Sequence, residues 1–521
     1  MNTCNFVSIP AQMFADQEIL VFEGRRWSYG ELWEVIRKLG TALRELGVER
    51  GDRVAVLQTN SDHYVATYFA AAAVGAVFVP LNYRAKLHEL EHMINTAEVK
   101  VLLIGDRYLG IVGELRPRLS TVRTFVTLEQ PHGDMVPLQR LIDSANADDF
   151  VEAEVDDDDT TILMYTSGTT SLPKGVMLRH NDFTAYVLNS VEMADGTPRG
   201  TALLCAPLYH IAGATNIMTN LFTGRRIVVL RQFEPAQWLE AVQAERVSHA
   251  FVVPTMMKHL IDHPKFAEYD LSSLQNLAYG GAAMPFPVIR RAIECFPKTV
   301  GFVNAFGQTE TTSTLTVLGP DDHRLDGTPA EVERNLRRLR SIGRPLPDVQ
   351  LKVVDDDGNE LPRGQVGELW VFTPRTMKGY ATKEHTVVNP ALDGWLPTRD
   401  MGWIDEDGYI FLAGRKDDMI IRGGENIAPA EVEAVLYSHP AVEEAAVVGV
   451  PDVEWGQRIA AFIVRRPGAS LEADELVEFC HQRLASFKKP EIIRFAEALP
   501  KNQMGKVLRT ELRQQLAEDA A

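Results

Sequence analysis

The chain has 521 residues, 45% of them apolar and 24% charged, with a formal net charge of −18. That length exceeds one ordinary hydrophobic core, so two or more domains are expected, and the composition is globular, with no low-complexity tract and no short internal repeat. The acidic balance argues against nucleic acid or an anionic membrane surface as the main partner, and confines polyanion binding to places where cations gather locally.

The four cysteines, Cys4, Cys205, Cys295 and Cys480, fit neither CxxC nor zinc spacing, which points to a reduced, cytoplasmic compartment. The N-terminus lacks the basic-then-apolar build of a signal peptide. In chain order, residues 32–46 carry apolar side chains at helical spacing and stop at Gly47. A short apolar strand is predicted over 53–57. Residues 64–81 are free of charge but rich in Ala and Gly, and Phe78-Val79-Pro80 reads as a strand end. A buried helix followed by a buried strand is predicted there rather than a membrane span. Further strands are predicted over 99–104, 162–165, 227–230 and 251–254, with the four aspartates 156–159 in a solvated loop. This alternation predicts α/β layers around a largely parallel sheet.

Residues 331–340 read as an exposed, charged helix. From residue 349 the texture changes to short alternating strands with Asp-Gly turns at Asp357-Gly358 and Asp407-Gly408, the pattern of antiparallel sheet. A fresh α/β pattern begins after Gly414. The expected organisation is a large N-terminal domain over 1–413, made of layered α/β subdomains plus a β-rich one. A hinge at 414–418 and a small, mobile C-terminal α+β domain over 419–521 follow.

The sharpest chemical signal is Thr166-Ser167-Gly168-Thr169-Thr170-Ser171-Leu172-Pro173-Lys174-Gly175. Gly168 permits a tight turn, the hydroxyls offer donors and Lys174 adds a point charge, a combination suited to phosphate. The spacing is not that of a Walker loop, and 176–178 reads as a strand, so a helix dipole is not the expected source of anion binding.

That loop resembles the signature of the adenylate-forming superfamily of acyl-CoA synthetases, luciferases and adenylation domains. The resemblance continues in the family's order through Pro207-Leu208-Tyr209-His210, Tyr279-Gly280-Gly281-Ala282-Ala283-Met284-Pro285 and Asn304-Ala305-Phe306-Gly307-Gln308-Thr309-Glu310. It extends through residues 395–400 and Gly414-Arg415-Lys416-Asp417-Asp418 to residues 500–509. It implies an enzyme that joins a carboxylic acid to ATP as an acyl-adenylate and passes the acyl group to coenzyme A. Thr166, Ser167, Gly168, Thr169, Thr170 and Lys174 would hold phosphates. Glu310 would hold Mg²⁺, which favours carboxylate and phosphate oxygens. Thr309 would donate to the α-phosphate. Gly281 and Ala282 would leave room for adenine, and Phe306 would stack on it. Asp400 would accept the ribose hydroxyls, with Arg415 beside it. Lys506 would supply the cation that adenylation needs, after a turn at Gly505. Asp417 would be the hinge residue between two lobe arrangements, and Gly424 would approach the nucleotide in the second. Lys416 and Asp418 read as ordinary solvated charges.

Three positions depart from the family's pattern: Ser171 and Arg399 stand where glycine is usual, and Phe306 replaces a common tyrosine. The acyl pocket is expected over 210–218, 279–281 and 303–307, with His210 gating it or filling the core. Its lining is otherwise neutral and small, which favours a medium- or long-chain fatty acid, with an aryl or cyclic acid as the alternative. An acceptor carrier protein, oxidation of the adenylate and a non-catalytic nucleotide-binding protein are the rival functions, and a monomer and a homodimer both stay open.

Overall fold

The computed structural model describes residues 1–166, 172–381, 387–502 and 506–519. The chain is mixed α/β, with a large N-terminal domain and a small C-terminal one. Two nine-stranded sheets dominate the large domain. In the first, the strands Glu18–Phe22, Arg226–Val229, Thr201–Leu204, His249–Val252, Asn276–Gly280 and Gly301–Gln308 run parallel in that spatial order. In the second, a parallel set centres on Arg53–Leu57 between Val77–Pro80 and Val99–Ile104, and the hairpin Thr160–Thr166 with Lys174–Arg179 extends it. Buried parallel strands need apolar residues on both faces, which is why these segments read as short continuous Val, Ile and Leu runs.

Helices fill the space between the two sheets. Tyr29–Glu45 starts at a capping box: the Ser28 side chain accepts from the Glu31 N–H, and the Glu31 carboxylate accepts from the Ser28 N–H at 2.7 Å. Asp62–Ala73 is buried along its whole length and leads into the strand Val77–Pro80, as expected of residues 64–81. With Ile211–Thr223 these helices pack Phe69, Tyr68, Met218 and Phe222 into one core that reaches both sheets. No helix among the described residues is long and apolar enough to cross a membrane.

A four-stranded antiparallel sheet, Gln350–Val354, Gly367–Phe372, Leu396–Ile404 and Ile410–Arg415, follows the second texture change. A 3₁₀ turn, Lys416–Asp418, then leads to the hairpin Ile420–Arg422 with Glu425–Ile427. Beyond it, the strands Val442–Asp452, Gly456–Arg465 and Ile492–Ala496 pack on the helices Pro429–Tyr437 and Ala473–His481 around a separate core of Val432, Leu436, Val447, Ile459 and Leu476.

Three expectations need correction. The strand placed over 251–254 ends at Val252, because Pro254 opens a helix at a position where its missing N–H is no loss. The aspartates 156–159 are not merely solvated: Asp159 accepts from Arg50 and Asp158 from Lys378, tying the loop to the sheet. Lys416 and Asp418 are also partnered. Lys416 lies 3.1 Å from Glu368 and 2.9 Å from Asp356. Asp418 is buried and accepts from Arg513 at 2.9 Å, because the last helix of the chain, Arg509–Asp519, folds back over it.

Candidate active site

The C-terminal ends of the parallel strands Asn276–Gly280 and Gly301–Gln308 lie side by side, the usual position for ligands in such sheets. Backbone fit dictates two glycines there. A Cβ on Gly280 would lie 2.1 Å from the Ala305 carbonyl oxygen, and one on Gly307 would lie 1.8 Å from that of Ser313. Gly281 follows at φ 78°, exposed at the rim, with Ala282 half-buried beside it. Phe306 is half-buried and also leans on two core clusters, so its ring has packing work besides any ligand contact.

Thr309 and Glu310 occupy a 3₁₀ turn followed by two non-glycine residues in the left-handed region, Thr312 at φ 49° and Ser313 at φ 83°. Such a turn persists only when its surroundings fix it. Arg375 does this from a fully buried position. It grips the Asp348 carboxylate with two N–H groups at 2.6 and 3.1 Å, and donates to the carbonyls of Thr311 and Thr314. The Thr312 hydroxyl returns a bond to the Arg375 carbonyl, and the Met377 N–H donates to that of Glu310.

The Glu310 carboxylate accepts the Tyr380 hydroxyl at 2.8 Å, and the Lys174 ammonium lies over the same tyrosine ring at 5.6 Å. Tyr380 reaches this place because its strand pairs with Val176 of the hairpin that carries Lys174. Thr166 and Lys174 are cross-strand partners. Ser167, Gly168, Thr169, Thr170 and Ser171 lie outside the described residues, as does Gly505. Burial, then the Glu310 charge, raises the Tyr380 pKa, so the phenol stays protonated and donates. Tyr380→Phe should therefore raise the Mg²⁺ concentration for half-maximal activity by about tenfold, the scale of one hydrogen bond to a charged group. An unchanged Mg²⁺ titration would remove Tyr380 from that task.

Asp400 and Arg415 are cross-strand partners joined by a 3.0 Å ion pair. Burial raises the Asp400 pKa against the pull of Arg415 and Lys506, while for Arg415 burial pulls downward and Asp400, Glu310 and Asp417 together hold the pKa raised. Lys506 belongs to the same electrostatic group: burial first, then Arg415, lowers its pKa, and Asp400 and Asp418 oppose that shift. Its backbone is pinned where Asn502 and Lys506 exchange bonds, at 2.8 and 3.0 Å. Solvent still reaches much of the side chain, which screens these effects. The tail lysine thus lies within electrostatic reach of Asp400 and Arg415 of the large domain.

The His210 side chain caps no helix N–H. Its ring packs on Tyr209 at 4.4 Å, and burial pushes its pKa down to about 4, so it is neutral at pH 7. Met218, expected in the pocket lining, is instead fully buried against Tyr68 in the main core. Gly423 and Gly424, at φ 59° and 88°, form the hairpin turn of the small domain. A Cβ on Gly424 would meet nothing within 4 Å, so that residue is not packed onto the large domain in this arrangement.

A family model described as AMP-binding enzyme matches residues 8–381, and that of its C-terminal domain matches residues 431–506. The chain belongs to the AMP-binding enzyme family. Among similar proteins, a feruloyl-CoA synthase from Amycolatopsis sp is 35% identical over 94% of each chain. A fatty acid–[acyl-carrier-protein] ligase, ScoC from Streptomyces coeruleorubidus, is 33% identical over 99% of this chain and 96% of its own. A crystal structure of the anthranilate CoA ligase AuaEII in complex with anthranoyl-AMP superposes with a TM-score of 0.86, at 25% identity over 100% of this chain and 98% of that one. As a member of this AMP-binding family the chain is an acyl/aryl-CoA ligase-type enzyme, and adenylate-forming CoA ligases use ATP, Mg²⁺ and coenzyme A. The donor set suits such a metal. Among the described residues no cluster of three or more His, Cys, Asp or Glu could hold a metal on its own, so a single carboxylate such as Glu310 would leave most positions to phosphate and water.

Tyr380 and Arg375 escaped sequence reasoning. Met377-Lys378-Gly379-Tyr380 holds no charge pattern or glycine loop that marks it, and Arg375 reads as a surface charge until its fourfold backbone and carboxylate contacts are seen.

Proposed function

We propose that the chain activates a compact, uncharged-bodied carboxylic acid, with an aryl or arylalkenyl acid as first choice, and transfers it to coenzyme A. The observation that carries this reading is the electrostatic coupling of Glu310, Asp400 and Arg415 of the large domain with Lys506 of the small one, on top of the 3.0 Å Asp400–Arg415 pair. In the first step a substrate carboxylate oxygen forms a bond to the α-phosphorus of ATP, and the bond to pyrophosphate breaks. In the second, the coenzyme A sulfur bonds to the acyl carbon, AMP leaves, and the thiol proton goes to solvent. Bound Mg²⁺ would neutralise phosphate charge, with Glu310 holding it and Tyr380 orienting Glu310. Asp400 and Arg415 hold the ribose, and Lys506 offsets charge growing on the phosphate and the incoming carboxylate. Lys174, with Thr166 to Thr170, holds the outer phosphates, and Thr309 the inner one. Gly281, Ala282 and Phe306 take the adenine. His210, being neutral, shapes the acid pocket rather than neutralising the acid. The lobes divide at residues 414–418, and their rotation serves the second step, bringing Gly424 to the site.

A compact acid is favoured because Met218, Ile217 and Leu221 close the inner side of the helix Ile211–Thr223 with core packing, leaving Ile211, Ala212 and Ala214 for the substrate. The similarity to feruloyl-CoA synthase and anthranilate CoA ligase supports the same choice. The second reading, a longer fatty acid delivered to a carrier protein, is supported by the similarity to ScoC. A panel of ferulate, anthranilate, octanoate and palmitate, assayed for pyrophosphate release with coenzyme A or a carrier protein as acceptor, separates them. An aryl acid should exceed palmitate in kcat/KM by on the order of tenfold, with coenzyme A as acceptor. Palmitate as the best acid, or turnover with carrier protein alone, would replace the first reading by the second.

A further inference from the structure

Arg399 occupies the left-handed region at φ 62°, where the family element it resembles has glycine. That conformation is unfavourable for any residue with a Cβ, so its side chain should have a use. The guanidinium turns away from the neighbouring Asp400 and grips Asp417 with two N–H groups, Nε to Oδ2 at 3.1 Å. The residues beside Asp417 are tied in opposite directions. Lys416 holds Glu368 of the large domain, whose other oxygen accepts the Arg399 backbone N–H at 3.2 Å. Asp418 holds Arg513 of the terminal helix and lies 3.7 Å from Arg509. Residue 417 is therefore where the chain's ties pass from one lobe to the other, and Arg399 clamps it from the large-domain side.

We propose that Arg399 is a positioning residue that fixes Asp417 and biases the lobes toward the arrangement in which Lys506 meets Asp400 and Arg415, and so sets the balance between the two half-reactions. This rests on the two-step reading above. Both side chains remain about half exposed, at 54% and 40%, so the bias is that of a surface ion pair, a few-fold rather than a lock.

Lobe arrangement can be read without any substrate. Spin labels on the naturally exposed Cys295 and on Val453→Cys report the distance between lobes, since the other three cysteines are buried. In Arg399→Gln the population at a second distance should rise about two- to fivefold over wild type, and Arg399→Lys should restore most of the original distribution. Acid-dependent ATP–pyrophosphate exchange should slow by the same factor with the KM for ATP unchanged, while thioester formation from supplied acyl-AMP holds or quickens. Identical distance distributions in wild type and Arg399→Gln, or equal slowing of both half-reactions, would overturn the assignment, as would a raised KM for ATP as the sole effect. A shifted distribution in an enzyme that no acid activates would instead sink the ligase reading and leave the positioning role standing.

Discussion

Replacing Lys506 by alanine should lower acyl-AMP formation by about 10²- to 10³-fold, the scale of losing one charge that acts on the transition state. Thioester formation from supplied acyl-AMP should survive, because that step needs no cation against pyrophosphate departure. The expectation follows from position: the ammonium shares a field with Asp400 and Arg415, although it comes from the small domain. A unit charge pair at about 4 Å and an effective dielectric near 20 is worth roughly 4 kcal/mol, and solvent reaching the Lys506 side chain reduces that figure until substrates cover it. The depressed pKa adds a pH signature. Adenylation needs the protonated lysine, so kcat/KM for this step should fall on the alkaline side earlier than an ordinary lysine would allow, and Lys506→Arg should move that limb upward. Rapid-quench measurement of both half-reactions checks the claim. Equal losses in the two steps, or an alkaline limb unmoved by arginine, would take Lys506 out of the role.

Arg375→Ala should strongly destabilise the large domain. It leaves the Asp348 carboxylate without its two-pronged partner and strips donors from the Thr311 and Thr314 carbonyls. Removing one member of a buried pair costs about 3–5 kcal/mol, because the remaining charge has no compensation. Unfolding of a two-domain chain is not two-state, so the midpoint of the large-domain transition is the proper readout. Removing both members, as Arg375→Met with Asp348→Leu, should recover much of the loss. Any surviving Arg375→Ala enzyme should show a raised KM for MgATP, since the turn bearing Thr309 and Glu310 loses its brace. A melting midpoint within a degree of wild type would mean that the Thr312–Ser313 turn holds without Arg375.

Period and punctuation were enough to find the layers. The run over 53–57, the Ala-rich helix before Val77–Pro80 and the helix over 32–46 are local patterns that the strands and helices observed there bear out. Local pattern failed where a boundary depended on proline chemistry, as at Pro254, or where charges found distant partners. Asp418 looks solvated in the sequence because Arg509 and Arg513, its partners, arrive only when the terminal helix folds over it.

The sequence by itself determined the order of the motifs and the change from parallel to antiparallel texture after residue 349. These are properties of neighbours along the chain, which the residues encode directly. Only the tertiary structure decided that Tyr380 links Glu310 to Lys174, that Arg375 braces a strained turn, that His210 is neutral, and that Arg399 pairs with Asp417. Each of these depends on a partner from another strand or lobe and on the local desolvation, and neither distance nor dielectric is written in the residue order.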